Sequence, residues 1–75
     1  MERPGLQERY LNAVRKENIT ATFFLVNGFQ LKGSVVAFDS YTVLILCGNK
    51  QELIFKHAIS TIIPEKTVDL TTVDN

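Results

Sequence analysis

The run Ile54-Phe55-Lys56-His57-Ala58-Ile59-Ser60-Thr61-Ile62-Ile63 breaks an apolar, strand-like pattern with an ammonium and an imidazole side by side. The pair falls between two strand-like stretches, where a backbone turn can present charge to a ligand while its apolar flanks anchor it. A catalytic histidine needs an orienting carboxylate and a nucleophile within hydrogen-bond reach, and the sequence offers no sign of either. Ser60 reads as a strand residue, and a histidine taken alone is most often a surface or core residue. The chain is therefore read as a binding protein and not as an enzyme.

The remaining titratable and small residues have plainer roles. Asp39 reads as a turn residue bonding its own backbone. Cys47, the single cysteine, reads as a small hydrophobe near a strand end. It cannot form an internal disulfide, and no His/Cys cluster offers four zinc ligands, so no metal or other cofactor is implied. Gly28 to Ser34 lacks the lysine and the βαβ setting of a phosphate loop. Asn18-Ile19-Thr20 matches a glycosylation acceptor by accident if the chain is cytosolic.

Eight Lys plus Arg balance eight Asp plus Glu over the 75 residues. Their distribution is uneven. Residues 1–63 carry a balance of plus two and residues 64–75 a balance of minus two, a modestly basic body with a short acidic tail. A core of this size rarely supplies more than about 3–5 kcal/mol, which leaves oligomerisation as the expected source of further stability. No apolar run approaches the roughly 20 residues of a membrane span, and the N-terminus lacks a signal-peptide core, so the reading is soluble and cytoplasmic.

These groups must be positioned by a helix and strands. Leu6, Tyr10, Leu11 and Val14 share one helical face over residues 6–17, after an N-terminal extension at 1–5. Arg9, Asn12, Arg15 and Lys16 lie opposite, and Arg15 with Lys16 also suits a solvated helix C-terminus. From Ile19 the period becomes two, predicting strands over 19–26, 29–38, 41–47, 51–56 and 59–63. Asn27-Gly28 predicts a type I′ hairpin turn. Gly33 in mid-strand predicts a bend or bulge, and the two-sided apolar stretch Thr42 to Leu46 predicts a central strand. Pro64 stops the last strand, and residues 65–75 read as a flexible tail. The plan is mainly β with one N-terminal α-helix, a strongly bent five-stranded antiparallel small barrel whose last edge invites pairing with another subunit.

The chain resembles the Hfq family of bacterial Sm-like RNA chaperones. The match runs through Leu6-Gln7, Tyr10-Leu11-Asn12, Arg15-Lys16-Glu17, Phe24 to Gly33, Phe38-Asp39, Lys56-His57-Ala58-Ile59-Ser60-Thr61 and Pro64, nearly everything but the first residues and the tail. The Lys-His-Ala-Ile-Ser string is specific, since eukaryotic and archaeal Sm proteins differ there. The resemblance implies a homohexameric ring closed by pairing the fifth strand of one subunit with the fourth of the next. It also implies single-stranded RNA partners, both small regulatory RNA and mRNA, with no membrane and no small-molecule substrate.

Carried over residue by residue, the resemblance implies three RNA-binding surfaces. Around the pore, Gln7, Tyr41, Lys56 and His57 would take U-rich ends. An aromatic ring there offers stacking worth about 1–3 kcal/mol per base, and the cation and imidazole offer phosphate contact and hydrogen bonds. On the opposite face, Phe24, Asn27, Gly28, Phe29, Gln30, Leu31, Lys32, Ser60 and Thr61 would take A-rich RNA. On the outer rim, Asn12, Arg15, Lys16 and Phe38 would help two RNAs anneal. Three departures stand out: Phe55 replaces the family's usual Tyr, Glu52 stands where Gln is expected, and Asn18 replaces an Arg found in some members, which predicts a weaker rim. A small barrel binding an extended peptide at its sheet edge is the alternative reading.

Overall fold

A computed structural model describes residues 5–70. The expected extension at residues 1–4 and the expected tail at 71–75 lie outside the described residues. Helix α1 (Leu6–Lys16) precedes strands β1 (Thr20–Leu25), β2 (Gln30–Phe38), β3 (Thr42–Cys47), β4 (Lys50–Phe55) and β5 (Ile59–Pro64), with one 3₁₀ turn at Lys56–Ala58. The predicted helix and five antiparallel strands are all present.

Gly5, in extended conformation, caps α1, and its carbonyl accepts the first helical bond from Arg9 N–H at 3.0 Å. Leu11, Ala13 and Val14 are buried, whereas Leu6, expected on the same face, is 63 % exposed. The helix ends where Asn18 takes a left-handed φ of 53°. Asn18 N–H bonds to the Arg15 carbonyl, and Ile19 N–H reaches back to the Val14 carbonyl. This paired C-terminal closure needs a left-handed residue, and after glycine asparagine adopts that conformation most easily. Asn18 therefore has a structural reason for its place at the end of the helix.

The strands lie in the order β4-β3-β2-β1-β5, so β4 and β5 are the two open edges of one antiparallel sheet. Alternate residues Ile19, Ala21 and Phe23, Val35, Val43 and Ile45, and Ile54 form the core with Leu11 and Val14 of the helix. Each of the valine, leucine, isoleucine and phenylalanine side chains among them contributes about 1.5–3 kcal/mol through removal from water. β3 lies inside the sheet as expected, yet only Val43 and Ile45 are fully covered, and Leu46 is part exposed. The edges keep large apolar groups in the open: Leu53 and Phe55 on β4, Ile63 on β5.

Two sequence expectations need correction. The Asn27-Gly28 turn is not type I′, because only Gly28 has a positive φ. Leu25 N–H bonds the Phe29 carbonyl, Gly28 N–H bonds the Leu25 carbonyl, and the Asn27 side-chain oxygen accepts the Phe29 N–H at 3.0 Å. That pattern is a three-residue loop in which the glycine closes a bulge, and the asparagine serves through its side chain. Gly33 is not the bulge either. The β2–β3 register slips between Val35 and Ala37, which leaves Val36 as the extra residue. Gly33 instead lies against the Leu46 carbonyl, where a Cβ would collide.

Past Pro64, Glu65 N–H bonds the Thr20 carbonyl at 2.9 Å, and Val68 packs against the core. These first residues of the expected tail lie along the body.

Candidate functional site

The β2–β3 connection is built around one carboxylate. Asp39 Oδ1 accepts hydrogen bonds from Tyr41 N–H (2.9 Å), Thr42 N–H (2.8 Å) and the Thr42 hydroxyl (2.8 Å). The Tyr41 N–H foremost, then the two Thr42 donors, hold the Asp39 carboxyl below its ordinary value, and the Lys56 charge acts in the same direction. This turn presents Tyr41 with its side chain outward, 77 % exposed. The Tyr41 carbonyl accepts the Lys56 N–H at 2.8 Å, so the aromatic and the Lys56-His57 pair are joined through backbone.

Because the folded Asp39 value lies below the unfolded one of about 3.9, its contribution to stability is complete above about pH 4 and is lost as pH falls through the folded value. The loss of urea resistance on acidification below pH 4 should accordingly be shallower for Asp39→Asn than for the parent chain. Parallel curves would show that the carboxylate does not organise the turn.

Around this turn, Lys56 Nζ sits 5.6 Å from the Phe38 ring centroid, a cation–π distance. The His57 and Phe55 rings stack at 5.8 Å between centroids and 27° between planes. Gln7 and Lys56 line a common open cleft of about 560 Å³ between the start of α1 and β5, with Leu6, Tyr10, Ile59 and Ile62 among its walls. Of the four residues expected around the pore, Gln7 and Lys56 share this cleft, while Tyr41 and His57 adjoin Lys56 along the chain and across the backbone bond.

The second set gathers at the β1–β2 hairpin and its seam with β5. Phe24 lies opposite Gln30 on β2 and opposite Thr61 on β5, forming one cross-strand row. The next row places Thr22 between Lys32 and Ile63. Ser60 is the extra residue where the β1–β5 register slips, and its hydroxyl donates to the Phe24 carbonyl at 3.0 Å. Asn27 and Gly28 form the turn, and Phe29 projects beside it, 68 % exposed. Leu31 is set apart: it lies opposite the buried Phe23, and its side chain packs against the core.

The third set splits. Asn12, Arg15 and Phe38 line a shallow depression of about 310 Å³ with Val36 and Ala37, and Arg15 Nη2 donates to Asn12 Oδ1 at 2.6 Å. Lys16 is exposed in the last helical turn, outside that lining. Phe38 thus belongs both to this depression and to the Lys56 contact.

Sequence reasoning missed the Lys32–Glu65 ion pair, Nζ to Oε2 3.0 Å. It also missed the packing of Val68. Burial first, and then the Glu52 charge and hydrogen bond, push the Cys47 thiol upward, so it is a poor nucleophile. Among the described residues no group of three or more His, Cys, Asp or Glu could hold a metal ion, and no helix is long and apolar enough to cross a membrane.

A helix followed by a strongly bent five-stranded antiparallel sheet, with a cationic and aromatic turn between its last strands, defines an Sm-like protein. The Hfq protein family model matches residues 6–69, and the chain belongs to that family. It is 58 % identical over 65 residues to the RNA-binding protein Hfq of Carboxydothermus hydrogenoformans, covering 87 % of this chain and 76 % of that one. It is 54 % identical over 66 residues to the RNA-binding protein Hfq of Bacillus subtilis, covering 88 % and 90 %. A crystal structure of the pleiotropic translational regulator Hfq superposes with a TM-score of 0.77 at 39 % identity, covering 79 % of this chain and 98 % of that one. The first two relatives are named RNA-binding proteins, and the family is a non-enzymatic one.

Proposed function

We propose that this chain is an RNA-binding chaperone that assembles into a homohexameric ring and acts in the cytoplasm, holding U-rich ends of small regulatory RNAs and A-rich segments of mRNAs. The observation that carries the reading is the Tyr41 ring held outward by the Asp39 turn, with Lys56 tied to it through its backbone N–H and His57 next in the chain. An exposed ring on a rigid mount suits stacking by an unpaired base, and the adjoining ammonium suits its phosphate. Gln7 reaches the same neighbourhood through the cleft it shares with Lys56.

The A-rich surface is the row Phe24, Gln30 and Thr61, with Phe29 and the Asn27-Gly28 turn at one end and Lys32 and Ser60 beside it. Leu31 supports it from the core side. Asn12, Arg15, Lys16 and Phe38 form the rim surface, which favours pairing of the bound RNAs and so regulates mRNA after transcription. The two apolar open edges, β4 and β5, support ring formation, since each is a partner for the other on a neighbouring copy.

The test is a native mass spectrum with a short U-rich ribonucleotide, followed by binding assays on the Lys56→Ala/His57→Ala double variant. A six-subunit mass carrying one RNA is expected. The double variant should lose at least about tenfold in U-rich affinity, the scale of a lost charged hydrogen bond, with A-rich affinity unchanged. Equal loss on both RNAs would remove the assignment to two surfaces. A monomer indifferent to RNA would instead favour peptide binding at a sheet edge.

A further inference from the structure

The ion pair between Lys32 and Glu65 has no part in the roles assigned so far. Lys32 lies across β1 from Ile63, with Thr22 between them. Glu65, two residues beyond Ile63, emerges on the same side of the strand. Its N–H is fixed to the Thr20 carbonyl at 2.9 Å, which extends the β1–β5 pairing past Pro64 and brings the carboxylate to 3.0 Å from the Lys32 ammonium. The side chains are 63 % and 53 % exposed, so RNA arriving on this surface meets the pair directly. Exposed pairs of this kind contribute little to stability.

We infer that Glu65 is a built-in counter-charge for Lys32, setting how strongly the A-rich surface draws on the charge of the RNA backbone. This rests on the assignment of that surface to A-rich RNA. An unpaired lysine that meets a phosphate releases condensed cations, which makes binding tighter and steeply salt-dependent. A lysine already paired with a carboxylate brings no net charge and displaces fewer of them. The Phe24, Gln30 and Thr61 row then supplies most of the affinity, through stacking and hydrogen bonds to bases. Lys32, the cation the resemblance puts on this surface, therefore contributes little while Glu65 is present.

The full-length chain, Glu65→Gln, Lys32→Ala and the double variant are to be titrated with a labelled oligoadenosine ribonucleotide over a range of KCl concentrations. Oligouridine serves as the control for the other surface. Glu65→Gln should tighten oligoadenosine binding about two- to fivefold, the scale of an exposed ion pair. It should also steepen the salt slope by about 0.7 for each Lys32 engaged, and leave oligouridine unmoved. Lys32→Ala should cost little in the parent chain and several times more in the Glu65→Gln background. Unchanged affinity and slope in Glu65→Gln, or an equal gain in the Lys32→Ala background, overturns the inference alone. A parent chain that binds oligouridine but no oligoadenosine overturns the surface assignment, and the inference with it.

Discussion

Gly33→Ala is expected to destabilise the protein by about 3 kcal/mol and to lower its melting temperature by roughly 12–24 °C. The reason is a close approach of backbone to backbone. A Cβ at Gly33 would overlap the Leu46 carbonyl and press on Cys47 Sγ at 3.1 Å. Neither β2 nor β3 can yield cheaply, because both lie inside the sheet and carry core residues Val35, Val43 and Ile45. Gly48→Ala is the control. Its φ of +65° makes alanine unfavourable, but the added Cβ meets nothing within 4 Å, so only the backbone penalty of about 1 kcal/mol applies. Urea denaturation of both variants at one protein concentration separates the two causes. If Gly33→Ala proves no worse than Gly48→Ala, the strands are not as close as described.

Tyr41→Ala is expected to weaken U-rich RNA binding by about 1–3 kcal/mol for each base that stacks, roughly 5- to 150-fold, with folding and A-rich binding unaffected. The ring is 77 % exposed, so its removal leaves no cavity. What fixes the residue is backbone: its N–H on Asp39 and its carbonyl on the Lys56 N–H. These bonds survive the substitution, which makes this a clean test of the side chain. Tyr41→Phe should retain most of the affinity, since stacking uses the ring face. Fluorescence anisotropy with U-rich and A-rich oligonucleotides reads both surfaces, and an unchanged U-rich affinity in Tyr41→Ala would exclude the ring from binding.

The period-two alternation from Ile19 to Phe23 was legible because burial on one face of a sheet imposes it directly. So was the Lys56-His57 turn, whose polar residues interrupt apolar strands. The slips at Val36 and Ser60 were not legible, since register depends on the partner strand and leaves no mark on the slipped residue itself. Gly33 was singled out as a bend or bulge, and the bulge lies elsewhere: a glycine signals a missing Cβ, but whether the space serves a bulge or a neighbouring carbonyl depends on contacts thirteen residues away. Asn27-Gly28 misled in a similar way, because asparagine suits a turn both by tolerating positive φ and by accepting a backbone hydrogen bond, and here it does the second. Leu31, carried onto the A-rich surface by the resemblance, lies opposite Phe23 and packs against the core, a placement that its sequence neighbours do not announce. Glu65 gave no local signal at all, its lysine partner being distant in the chain and brought near only through β1.

The open edges at either end of the sheet have a consequence for how copies would come together in the proposed ring. Because β4 and β5 are different surfaces, any linear stack of copies joined edge to edge keeps one raw β4 and one raw β5, whatever its length. In the proposed ring only closure removes both, so partial assemblies would gain less per subunit than the finished one, and assembly would become an all-or-none event governed by mass action. For such a ring, resistance to heat or urea is expected to rise with protein concentration, and a substitution at Leu53, Phe55 or Ile63 to shift the concentration at which the ring comes apart.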